Sequence, residues 1–94
     1  MRIVLSPEAV EDLDQIFDYI LEENPHMAAV VLQRIRDRIG ALVDAPHLGR
    51  PGRVPGTREL IVPRTPFLVP YQVAGGVVEI LRVYHGARQW PDEL

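Results

Sequence analysis

Between residues 7 and 44 the apolar side chains recur every three to four positions, whereas beyond residue 56 they alternate or run together in short blocks. A stretch rich in Pro and Gly separates the two regimes. A chain with that change of period must lay helices from its first half on strands from its second, because an amphipathic helix and a one-sided sheet each need a surface to cover their apolar face. The helical part divides in two. In Ser6-Pro7-Glu8, Ser6 can cap, Pro7 fits the first turn, where its missing N–H costs nothing, and Glu8 meets the positive end of the helix dipole. Val10, Leu13, Ile16, Phe17, Ile20 and Leu21 then form one stripe, and Glu8, Glu11, Asp12, Asp14, Asp18 and Glu22 take the remaining positions, which reads as a solvated acidic face. Asn24-Pro25 ends this helix, since the residue before proline is pushed away from helical dihedrals. A second helix is predicted from about His26 to Asp44, with Ala28, Val31, Leu32, Ile35, Ile39, Leu42 and Val43 on one side and Arg34, Arg36, Asp37 and Arg38 on its polar face. So short a connection makes the pair an antiparallel αα-hairpin.

Arg2 to Leu5 is a short extended run, and Ala45 to Gly56 is a loop. Arg58 to Val62 is a strand candidate, as is Phe67 to Val73, in which Pro70 points to an edge or a bulge. Ala74-Gly75-Gly76 is a turn leading into a long strand from Val77 to His85. Strict alternation would put Val77, Glu79, Leu81, Val83 and His85 on one face of that strand and Val78, Ile80, Arg82 and Tyr84 on the other. The fold class is α+β, in the order β-α-α-β-β-β, with a small, mainly antiparallel sheet packed on the helical hairpin. Ninety-four residues allow one domain, 1–94, whose core is small enough that a partner covering apolar surface would matter. With no cysteine there is no disulfide, thiolate zinc site or cysteine nucleophile, and no apolar run approaches a membrane span. The chain therefore reads as cytoplasmic.

Every basic residue is arginine. Residues 1–47 hold four arginines against nine carboxylates, and residues 48–94 hold six against four, so the net −3 is an acidic half joined to a basic one. The guanidinium fork suits carboxylates, phosphates and base edges, although GC-rich coding would also favour Arg over Lys. His26, His47 and His85 lack metal-ligand spacing, so neither metal nor cofactor is expected. The lone serine, Ser6, is better read as a helix cap than as a nucleophile. Ile80 to Pro91 is the most informative stretch, because it delivers Arg82, Tyr84, His85 and Arg88 to one end of the sheet. There an imidazole can act as general acid–base in RNA cleavage while arginine stabilises the developing phosphorane charge. Alternatively, His85 and Tyr84 cap the strand and Arg82 pairs with Glu59 or Glu79. Trp90 is either a core plug or an anchor for a partner.

Ser6 to Leu13, the Pro46 to Gly49 turn, Arg58-Glu-Leu, Phe67-Leu-Val-Pro-Tyr-Gln-Val and especially Ile80-Leu-Arg-Val-Tyr-His-Gly-Ala-Arg-Gln-Trp resemble the RelE/ParE toxins of bacterial type II toxin–antitoxin systems. The resemblance covers nearly the whole chain. It implies a sheet on a helical hairpin, and a cognate antitoxin that wraps and neutralises the toxin. It also implies one of two activities: RelE-like members cleave mRNA in the ribosomal A site, and ParE-like members bind DNA gyrase and stall it. For cleavage, His85 matches the strand-end histidine of one nuclease subgroup, with Arg82 and Arg88 as its candidate companions. Against it, Gly86 stands where a tyrosine is expected, Phe67 replaces an arginine, and the lysines some nucleases use are absent. A ribosome-bound toxin also gains affinity by displacing counterions from phosphates, which an acidic chain largely forgoes. The resemblance therefore points to a gyrase inhibitor, with the ribosome-dependent nuclease as the alternative and an inactive homologue as a third possibility. Arg58, Arg64, Arg82, Tyr84, Arg88 and Trp90 are the expected target- or antitoxin-binding residues. Antitoxin is expected on the uncovered apolar stripe of the hairpin and at a sheet edge formed by Phe67 to Val73. Its acidic tail would favour the Arg50, Arg53, Arg58, Arg64 and Arg82 surface.

Overall fold

The computed structural model describes residues 1–86. Its elements are β1 (Arg2–Leu5), α1 (Pro7–Glu23), α2 (Pro25–Gly40) with a 3-10 turn at Ala41–Val43, β2 (Arg50–Pro51), β3 (Arg58–Ile61), β4 (Phe67–Ala74), β5 (Val77–Ile80) and β6 (Tyr84–His85). The first helix starts as the sequence predicts, and the second starts one residue earlier than expected, with Asn24 as its cap. The Ser6 hydroxyl accepts from the Ala9 N–H at 3.0 Å, and the Asn24 side chain, closing α1 and opening α2, accepts from the Met27 N–H at 3.2 Å. Proline follows each cap.

The strands form one sheet in the order β1-β5-β4-β3-β2, with β6 continuing beside β4. β1 lies parallel to β5 and the other pairings are antiparallel, so the sheet is mixed. The helical hairpin covers one face. Ala9, Val31, Ile35, Ile39 and Leu42 meet Leu60, Val62, Val69, Tyr71, Val78, Ile80 and Val83 in the main core, and Phe67, Leu13, Ile16 and Ile20 pack around it. On the opposite face Leu68 and Tyr84 form a smaller cluster with Val54 and Leu81.

Three expectations change. β4 is internal, between β3 on one side and β5 and β6 on the other, so Phe67 to Val73 offers no free sheet edge. The long final strand is two short ones. The predicted loop contains the two-residue strand β2, which pairs with β3 at the edge of the sheet and is tied there by Glu59. Glu59 is buried, accepts from the Arg53 N–H at 3.0 Å, and lies 3.4 Å from Arg50 and 3.7 Å from Arg53. Burying a carboxylate is costly unless its oxygens find partners, and the loop supplies them.

Tyr71 pins the preceding turn from inside the core. Its hydroxyl donates to the Pro46 carbonyl at 2.8 Å and accepts from the Gly49 N–H at 2.9 Å. A Cβ at position 49 would lie 2.7 Å from the Tyr71 ring, which explains glycine there. Tyr71→Phe strands a buried N–H and is expected to cost about 1–3 kcal/mol in urea unfolding; an unchanged midpoint would show that the turn needs no such anchor.

Candidate functional site

The end of the sheet where the sequence places its chemistry is shaped by Pro70. In β4, Tyr71 pairs with Ile80, yet Leu68 pairs with Tyr84, so residues 69–70 stand opposite residues 81–83. One residue is extra on the second strand, which defines a β-bulge. Proline explains its place. The Leu81 N–H donates to the Pro70 carbonyl at 2.9 Å, but Pro70 has no N–H to return to the Leu81 carbonyl. The Ser6 hydroxyl donates to that carbonyl instead, at 2.8 Å, and the Ser6 N–H donates to the Ile80 carbonyl at 2.9 Å. The capping serine thus joins the helix start to the bulge.

Asp12, on α1, completes the attachment. Its Oδ2 accepts from Arg82 Nε at 2.7 Å and from the Val83 N–H at 3.0 Å, while its Oδ1 accepts from the second arm of the Arg82 guanidinium at 3.0 Å. The side chains of Arg82 and Asp12 are only 11% and 10% exposed. Arg82 also lies over the Tyr84 ring, 4.7 Å from its centroid, so its charge is enclosed between a carboxylate and a π face. Asp12 therefore departs from the solvated acidic face expected of α1, and the partner of Arg82 is neither Glu59 nor Glu79. Glu79 instead accepts from the Gln72 side chain at 2.7 Å on the open face of the sheet.

The bulge reverses the facing of the strand end. Val83 joins Val78 and Ile80 in the core under the helices, and Tyr84 turns to the opposite face with Leu81 and Leu68. His85 consequently sits beside α1. It meets Phe67 edge to face, with ring centroids 5.9 Å apart and planes at 81°. The two rings border a groove of about 680 Å³, whose other walls include Gln15, Ile16, Tyr19 and Ile20 of α1. Tyr19 is 72% exposed at its rim. The β3–β4 turn closes this end: the Gly86 N–H donates to the Pro66 carbonyl at 2.6 Å, and Arg34 of α2 donates to the Arg64 carbonyl at 3.1 Å. Arg64 has a φ of +63° and an exposed side chain.

The expected site residues are therefore dispersed. Arg64 and His85 share the turn end of the sheet. Tyr84 is buried on the other face, and Arg82 is enclosed, so it cannot belong to an exposed arginine surface. Arg58 is half-buried and fastens the loop, donating to the Gly49 carbonyl at 2.7 Å and more weakly to the His47 carbonyl at 3.4 Å. Arg50 and Arg53 are tied to Glu59. Arg88 and Trp90 lie outside the described residues. The residue that sequence reasoning missed is Asp12, and its spacing carried a signal: it is three after Ala9 and four before Ile16, within the buried stripe. Among the described residues, no three His, Asp or Glu side chains gather as a metal site, and no helix is long and apolar enough to cross a membrane.

A family profile described as "ParE toxin of type II toxin-antitoxin system, parDE" matches residues 3–90. The chain is 42% identical over 93 residues to a putative toxin, Y4kP, of Sinorhizobium fredii, covering 99% of this chain and 96% of that one. It is 32% identical over 87 residues to Toxin RelE2 of Caulobacter vibrioides, covering 93% and 97% of the two chains. Among solved structures, a chain of the chromosomal ParDE system from P. aeruginosa superposes with a TM-score of 0.83 at 34% identity, covering 90% of this chain and 95% of that one. A chain of the E. coli RelBE toxin–antitoxin complex gives 0.70 at 12% identity, covering 93% and 98%, a likeness of fold.

The buried pair makes a stability prediction. Asp12→Ala leaves the Arg82 charge and the Val83 N–H without their acceptor and is expected to cost about 3–5 kcal/mol. Gln72→Ala, which removes an exposed contact to Glu79, should cost less than about 1 kcal/mol. Denaturant titrations of the two variants check the contrast, and equal losses would contradict it.

Proposed function

We propose a function from one premise: this chain belongs to the ParE toxin family of type II toxin–antitoxin systems. As such a toxin it is held in check by a cognate antitoxin, and its target is DNA gyrase, which it stalls by binding and without a reaction of its own. The observation that supports gyrase over RNA cleavage is the commitment of Arg82. A nuclease at this strand end needs a cation free to meet the charge that develops on phosphorus. Arg82 instead commits its Nε and one terminal nitrogen of its guanidinium to Asp12, under a side chain only 11% exposed. Beside His85 stands the Phe67 ring. The net charge of −3 further favours a protein target over a ribosomal RNA surface. The likeness to a ParDE chain at 34% identity agrees with this reading.

The surface assigned to the target is the turn end of the sheet, where Phe67, His85 and Tyr19 line one groove and Arg64 stands exposed on the adjoining β3–β4 turn. Antitoxin has the remaining apolar surface of the helical hairpin, where Val10 and Leu21 are 46% and 41% exposed. A groove of about 590 Å³ also runs between α1 and α2, with Leu13, Phe17 and Leu32 in its walls. An antitoxin segment that orders on binding needs apolar anchors of this kind to offset its lost entropy.

Purified full-length protein is expected to inhibit gyrase supercoiling, and adding the product of the adjacent antitoxin reading frame should relieve the inhibition. Undiminished supercoiling at saturating protein would sink the gyrase assignment. Toe-printing on translating ribosomes is expected to show intact A-site mRNA; cuts that vanish in His85→Ala would establish the nuclease instead.

A further inference from the structure

The extra residue in the last strand poses a problem of facing that a side chain on α1 solves. In an unbroken strand from Val77, Arg82 and Tyr84 would turn toward the helices, and Val83 and His85 away from them. Holding Arg82 out of the ladder reverses this and brings Val83 into the core and His85 beside Phe67. A bulge leaves backbone groups unmatched, and here the β1–α1 segment matches them: the Ser6 hydroxyl donates to the Leu81 carbonyl, and Asp12 accepts from the Val83 N–H. The guanidinium of the extra residue itself closes on the same carboxylate.

We propose that Asp12 is a positioning residue for the target-facing end of the toxin: through Val83 and Arg82 it holds the bulge and thereby fixes His85 and Phe67 beside α1. Arg82 is its counter-ion and makes no contact with the target. The assignment rests on the toxin reading above only in taking this end of the sheet as the surface presented. It distinguishes two roles for Arg82 that substitution to alanine would confuse, because loss of a contact and loss of the clamp both abolish activity.

Deletion of Arg82 separates them. Without residue 82, Leu81 is followed directly by Val83, and plain alternation puts Val83 and His85 on the helix side with no bulge to hold. Asp12→Ala is expected to weaken growth arrest, on induction without antitoxin, by about tenfold or more, and to remove the Phe67–His85 ring contact from NOE spectra. Deleting Arg82 in the Asp12→Ala background should restore both. Arg82→Gln, which gives up the counter-charge but leaves Asp12 to accept the Val83 N–H, should keep the ring contact and retain more growth arrest than Asp12→Ala does.

A double variant that recovers the ring contact but stays inactive would overturn the proposal, since Arg82 would then be a contact residue. A double variant that does not fold would overturn it too, because a strand without the extra residue should need no clamp. Full activity in Asp12→Ala, or inactivity of Arg82→Gln with the ring contact intact, counts against it equally. Growth arrest reports toxicity whatever the target, so a wild-type protein that arrests growth without touching gyrase would refute the gyrase reading alone. If the wild type arrests nothing, the ring-contact measurements still decide the positioning.

Discussion

Pro70 has no N–H to give to the strand beside it, and the organisation of this end of the molecule follows from that omission. The Leu81 carbonyl must find another donor, the ladder slips by one residue, and the slip has to be held open by groups from elsewhere. Ser6 and Asp12 supply them, one at the cap of α1 and one within its second turn. The helix start, the bulge and the strand end are thereby one mechanical unit, tied through contacts 70 or more residues apart in sequence. Contacts of that separation are paid for in loop-closure entropy, which rises only slowly with length, so the small core under the hairpin can support them.

The charge pattern takes on a different meaning in this light. Most arginines described in the second half of the chain are occupied in contacts within the fold: Arg58 grips the Gly49 carbonyl, Arg50 and Arg53 flank buried Glu59, and Arg82 closes on Asp12. Two from α2 do the same, with Arg34 on the Arg64 carbonyl and Arg38 on that of Ile61. A residue with several fixed donors suits this work better than lysine, whose single ammonium cannot bridge two acceptors in a plane. The arginine-only composition thus has a structural use that a count of basic residues by halves does not reveal.

How much could be read in advance depended on whether the signal was local. The Ser6 cap, the Asn24-Pro25 break and the Gly75-Gly76 turn follow from preferences of adjacent residues, and all appear where the sequence puts them. Periodicity likewise grouped Val31, Ile35 and Ile39 on one side of the second helix and Val78 with Ile80 on one face of the last strand, and all five are buried. What escaped was the consequence of one residue for another far away. Pro70 announced an edge or a bulge, but only the register of residues 80 and 84 decides for the bulge, and only then do Val83 and Tyr84 exchange faces. Asp12 escaped for the same reason. An aspartate on a helix rich in acids looks solvated until the arginine that encloses it is placed.

A buried ion pair is seldom the most stabilising way to fill its space, since desolvation offsets most of the Coulomb gain. An apolar residue at position 12 would fill space against the hairpin but leave the buried Arg82 guanidinium without its carboxylate. Nor could it accept the Val83 N–H, and it would leave the strand free to slip into the regular register in which Arg82 and Tyr84 face the helices and His85 does not. The slip of a single residue changes every side chain on the strand end. Asp12 favours the bulged register, which brings both the Val83 N–H and the guanidinium onto its carboxylate. The pair therefore contributes choice of register, with stability secondary, and the choice decides which side chains this end of the sheet can offer to anything that binds there.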